Sequence, residues 1–425
     1  CCVVRIIPWN RIRTTHHSTE RLPTMRLPLT DYPIPDPQYP SRPYLLIALF
    51  ALVIAASTGS LLRFGLGWAT LALMALIWHF LSGYTGRVLP RGVHWQMGIT
   101  AVLALLSFPA FWVNGYGLTQ IGSASLPLGA MIASLNGLTW FHFAWLYWRE
   151  SRGLARRPLP VQLWDWAILL LLLSSGGALG LVGLVVTGVQ SLFLQQTFLH
   201  LFLDLFAVGW FTMALLGLLW AWLGQRIELP RRLPILPLAL AIAPTFFLGI
   251  SPALVSPLLF WVAAIANGLA GLLIFWHVGA LLRRWNHLPW LVRFGVGMLA
   301  VHGLMVLVIL WPGVWEWSSR TQLRVYFLHN LLLGWMSSGL LALILDQLGL
   351  GKNQWVRWLG WVWIAGVGLM LLTLLGLGML QFVPISALVL LRAAAWSSLV
   401  PVGVAGIVWL LSLRQNQAGS STRLD

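Results

Sequence analysis

Apolar runs of about twenty residues recur along this chain with only short polar joints between them, and a bilayer core about 30 Å thick needs a helix of that length. The runs fall at 44–62, 66–83, 96–114, 124–148, 164–188, 195–224, 233–250, 256–282, 289–312, 324–349, 355–380 and 384–412. The expected fold is therefore all-α: a polytopic integral membrane protein of about twelve transmembrane helices. Composition agrees, with 59% hydrophobic and 8% charged residues and a mean hydropathy of +0.83, where soluble chains carry roughly a quarter charged residues. The lipid bilayer is the expected partner.

Net charge is +16, yet the arginines stand singly or in pairs between apolar runs instead of forming a stripe, which excludes nucleic acid as the reason for them. Their distribution reads as topology. Basic residues collect in cytoplasmic loops, and with the N-terminus inside, the inner segments take nearly all of them, including Arg87, Arg91, Arg149, Arg226, Arg283, Arg293 and Lys352. Only Arg63, Arg320 and Arg324 fall in outer loops, and Arg392 lies within the last helix. This pattern places both termini in the cytoplasm, with a prokaryotic inner membrane as the expected location. The organisation is then a cytoplasmic lead-in over 1–43, extended and proline-rich before Pro43, a transmembrane domain over 44–412 and a cytoplasmic tail over 413–425. The basic stretch ahead of Met25 reads as sequence upstream of the start, and it lacks the apolar core of a signal peptide. Cys1 and Cys2 supply no metal or redox pair.

An internal repeat appears between runs four apart. Gly67-Trp68-Ala69-Thr70 in the second, Gly209-Trp210-Phe211-Thr212 in the sixth and Gly334-Trp335-Met336-Ser337 in the tenth align without gaps into similar apolar continuations. Asn136-Gly137-Leu138 and Asn267-Gly268-Leu269 give a second match between the fourth and eighth. The pattern predicts three quasi-repeats of four helices.

Ionisable groups inside spans cost at least ~2.5–3.5 kcal/mol for Asp or Arg at the centre, so each asks for a partner or a task. His200 begins the sixth helix at its outer end, with Asp204 one turn on. His329 begins the tenth helix at similar depth, His302 lies midway along the ninth, and His79, His142 and His277 lie at inner ends. Two imidazoles at one depth on neighbouring helices can ligate a haem iron; the alternative is interhelical hydrogen bonding. Asp204 can orient His200 or carry a proton step, and Arg392 either pairs with an anion or extends its head to the interface.

The helix number, the four-helix period, and the strings His200-Leu201-Phe202-Leu203-Asp204 before Gly209-Trp210 and Phe327-Leu328-His329-Asn330 before Gly334-Trp335 resemble the catalytic subunit of haem-copper oxidases. The two strings look like the His-then-Gly helices of divergent oxidase-like and NnrS-type membrane proteins. The resemblance covers residues 43–412. It implies one haem b held by His200, His329 or both, with His302 as a further candidate ligand and Arg392 as a propionate partner. It also implies electron transfer in a respiratory or nitrogen-oxide system alongside membrane or periplasmic electron-transfer subunits. The departures are specific: the outer part of the second helix has no histidine, residues 233–250 have no His-His pair for copper, and Phe327 stands where a partner of His329 would be. A complete oxygen-reducing haem-copper centre is therefore not expected. A secondary transporter with two six-helix halves and a non-catalytic scaffold subunit are the other readings.

Overall fold

The computed structural model describes residues 40–421, apart from 58–60, 115–116, 118, 123, 127, 252 and 312; most of the expected lead-in and residues 422–425 of the expected tail lie outside the described residues. The helices are α1 (Arg42–Ser57), α2 (Leu61–Thr85), α3 (Arg91–Asn114), α4 (Leu128–Ser151), α5 (Leu159–Thr187), α6 (Leu192–Gly224) and α7 (Ile235–Gly249). They continue with α8 (Pro257–Leu282), α9 (Trp290–Val308), the short α10 (Val314–Arg320), α11 (Leu323–Gln347), α12 (Gln354–Gly378) and α13 (Ala387–Ser421). A two-stranded antiparallel hairpin, β1 (Thr119–Ile121) and β2 (Ala124–Leu126), joins α3 to α4.

Among the described residues seven helices, α5, α6, α8, α9, α11, α12 and α13, are long and apolar enough to cross a membrane, and the chain is an all-α polytopic membrane protein. Their outward faces are themselves apolar: Leu258 is 73% exposed, Ile265 69% and Leu372 67%. Water does not tolerate contiguous surfaces of that kind, and lipid does.

Local chemistry sets the helix ends. Ser191 accepts a hydrogen bond from the Leu194 amide to start α6, Ser256 does the same from Leu259 before Pro257, and Asn353 accepts from Trp355 to start α12. Each satisfies an amide that the helix itself leaves without a partner. Gly188, at φ 68°, ends α5 in the left-handed conformation that glycine adopts without strain. The last helix continues past residue 412, where the sequence places the start of the tail, to Ser421.

The three helices bearing the Gly-Trp strings, α2, α6 and α11, contact one another. They are also the most enclosed: α2 is buried continuously from Trp68 to Trp78, and the apolar windows of α6 and α11 are 72% and 83% buried against 28–50% for the other five spanning helices. Small residues allow the close approaches. At Gly177 on α5, an added Cβ would stand 2.5 Å from the Phe198 carbonyl oxygen and 2.6 Å from the Phe202 amide nitrogen of α6, whereas at Gly176 it would meet nothing within 4 Å.

Two stretches are π-helical, Leu205–Phe211 within α6 and Asn330–Ser337 within α11, and each begins four residues before its Gly-Trp pair. The two π segments touch. In α11 the wider turn has a visible cause, because the Ser337 and Ser338 hydroxyls donate to the carbonyls five residues back, Leu332 at 2.7 Å and Leu333 at 3.0 Å. Trp363 of α12 in turn donates to the Ser338 hydroxyl at 2.9 Å. At the far end of the same two helices, Trp222 of α6 and Arg226 just beyond it both bond Asp346 of α11, at 2.8 and 3.0 Å. Asp346 is thus a tie between α11 and the end of α6.

Replacement of Gly177 by Ala should cost about 1–3 kcal/mol, since rigid backbone blocks the new methyl, while Gly176→Ala should be close to neutral. Thermal unfolding of the two variants in one detergent checks this.

Candidate functional site

His200 lies on the turn of α6 before its π segment, and Asp204 is the residue immediately preceding that segment. The spacing of four puts both on one helical face, and His200 Nδ1 stands 3.2 Å from Asp204 Oδ2. The ring is 5% exposed and rests directly on Gly249, the last residue of α7, where any Cβ would overlap the imidazole. Opposite it, Arg324 in the first turn of α11 sets Nη2 at 3.1 Å from Nδ1 and 3.4 Å from Nε2. The guanidinium therefore covers both ring nitrogens. An Asp204–His200–Arg324 cluster joins α6 to α11 at the end opposite the Arg226–Asp346 tie.

His329 occupies the position in α11 that Asp204 occupies in α6, immediately before the π segment. Its Nδ1–H donates to the Val325 carbonyl at 2.7 Å, and among the described residues Nε2 has no partner. A metal-binding imidazole commonly presents itself in this way, one nitrogen pinned by a carbonyl and the other free. His302 is wholly buried on α9, has no hydrogen bond at either ring nitrogen, and lies against the Phe327 ring at 4.4 Å between centroids. His142 is exposed on α4, and the His79 Nδ1 lies 3.4 Å from the Ser41 hydroxyl.

A cavity of about 350 Å³ adjoins the cluster. Asp204, Gly249 and Arg324 line it, together with Asn267, Trp317 and Phe327; the remaining wall is largely aliphatic. Trp315 of α10 donates its indole N–H to the Leu248 carbonyl at 3.2 Å, and the Ser251 amide donates to Gln196 Oε1 at 2.8 Å, so α10 and the end of α7 are fastened around this space.

The chain matches no family model and no curated protein. What the site can do is therefore argued from its own geometry.

The structure brings His200 and Asp204 together as their spacing predicts, and adds Arg324, which the sequence offers only as one of the rare basic residues of an outer loop. That rarity was the available signal. Arg392 takes a different place from the buried anion partner considered from sequence: it is exposed on α13, five residues from the start of that helix, and it does not line the cavity. Its long stem lets the charged head reach beyond the apolar zone, so burial never forces it to find a carboxylate. Gly249 and Trp317 carry no mark in the sequence that separates them from other glycines and tryptophans.

Gly249→Ala should displace the His200 ring and open it to solvent. Diethyl pyrocarbonate labelling read by peptide mass spectrometry should show His200 slow and His142 fast in the parent, with His200 labelling rising several-fold in the variant.

Proposed function

We propose that the chain is a divergent member of the haem-copper oxidase superfamily, with twelve spans in three units of four and both termini cytoplasmic. On this reading it binds one haem b through His329 and serves electron transfer in a respiratory or nitrogen-oxide system, beside membrane or periplasmic redox subunits. The observation that carries the reading is the pair of matching α-to-π junctions on the central helices, with Asp204 and His329 in equivalent places. Such π segments concentrate at functional sites. The enclosure of α2, α6 and α11, four apart in order when the short α10 is left out, supports the four-helix period and favours this reading over a transporter with two six-helix halves.

Of the candidate ligands, His329 fits iron best, because its Nδ1–H is committed to a carbonyl and its Nε2 lone pair is free. His200 fits poorly, since Arg324 covers both of its nitrogens. His302 has free nitrogens, but the Phe327 ring lies against it. Bound haem would supply a one-electron centre; the Val325 carbonyl would hold the His329 tautomer and ring orientation, and the apolar surroundings would keep water away. Copper is no part of the proposal, as α7 carries no histidine.

Protein produced with adequate haem should show a Soret band that His329→Ala removes and His200→Ala retains. Absence of the band in the parent, or its survival in His329→Ala, contradicts the proposal.

A further inference from the structure

The cavity beside Arg324 lies on a different face of α11 from His329. Leu323, Arg324, Tyr326 and Phe327 line it, while Val325 and His329 do not. It is a second site, and its polar groups are unevenly committed. Thr245 gives its hydroxyl proton to the Ile242 carbonyl and Ser318 to Trp315, while Asn267 gives one of its two amide N–H groups to Val306. Asp204 is turned to His200.

Among the donors left over are those of Trp317 and Arg324. The Trp317 indole N–H is buried without an acceptor. Arg324 has five N–H groups, yet among the described residues its hydrogen bonds go only to the His200 ring, and no carboxylate lies within the 4.0 Å of an ion pair. Arg324 is exposed at the edge of a largely apolar chamber and sets a guanidinium there, which matches a carboxylate bidentately. Most of the remaining wall, including Ile274, Leu304, Ile309 and Met379, is aliphatic and suits an apolar body.

We infer that this cavity binds a monocarboxylate with an apolar body, of the medium-chain fatty acid type, with its head on Arg324 and Trp317 and its chain among the aliphatic side chains of α8, α9 and α12. One negative charge matches one guanidinium. A dianionic head would also set its second charge against Asp204, which favours a carboxylate over a phosphate monoester.

The test uses radiolabelled laurate and the full chain in phosphatidylcholine nanodiscs, with empty nanodiscs subtracted. Laurate should bind saturably at one per chain, and lauryl alcohol, which has the same chain without the charge, should compete poorly. Arg324→Gln should weaken binding about tenfold, the loss expected for one charge-assisted hydrogen bond. Met305→Trp, which fills the cavity and leaves the guanidinium in place, should abolish it, and Arg357→Gln at an exposed site should not change it. The inference is overturned by absence of saturable binding, by equal competition from the alcohol, by indifference to both Arg324→Gln and Met305→Trp, or by displacement of laurate when phosphatidylglycerol is added to the bilayer. Laurate binding is read without reference to the Soret band, so this inference and the haem proposal can fail separately.

Discussion

Lipid offers a polypeptide no hydrogen bonds, and most of this molecule follows from that constraint. Backbone groups must be satisfied inside each segment, which leaves helices as the spanning elements. Side chains facing outward can be apolar, and the exposed leucines and isoleucines of α8 and α12 are. Because burial of apolar surface drives little once the surroundings are apolar, helices associate through close packing and a few polar contacts. Gly177 against the backbone of α6 is the first kind. The serine pair of α11, which supports a π turn and receives the Trp363 indole, is the second.

The same constraint explains why the polar contacts between α6 and α11 stand at their two ends. At one end Arg226 and Trp222 meet Asp346; at the other Arg324 meets His200, which in turn bonds Asp204. Between these ties the helices pass through their touching π segments, where widened turns bring Trp210 and Trp335 into the sealed interior. A polar cluster fixed at the mouth of an apolar chamber is thereby held by two rigid helices and by the blunt end of α7 at Gly249, with little freedom left to the His200 ring.

The positions of the helices were legible because span length and apolar composition are set by bilayer thickness, and those are properties of single segments. The Gly-Trp strings, read from sequence only as a repeat, lie on the three most enclosed helices, α2, α6 and α11, where a glycine admits a neighbour and a tryptophan fills the interior. The His200–Asp204 pair followed from the helical period. What escaped depends on contacts between distant segments. Arg324 meets His200 across 124 positions of chain, and nothing in its local sequence announces this. The π turn of α11 goes with hydroxyl-to-carbonyl bonds five apart that a residue pattern does not distinguish from an α-helix. Arg392 reads from sequence as lying inside a span, but α13 is the least enclosed of the spanning helices and Arg392 faces outward on it; direction around a helix with apolar residues on every side is not written in the pattern.

The central claim is that α6 and α11 are adjacent and joined through His200 and Arg324. A double-mutant cycle on thermal or denaturant unfolding, using His200→Ala, Arg324→Gln and the pair, measures that contact directly. The account predicts a coupling within the 0.5–3 kcal/mol range typical of side chains in contact. Strict additivity of the two losses would contradict it.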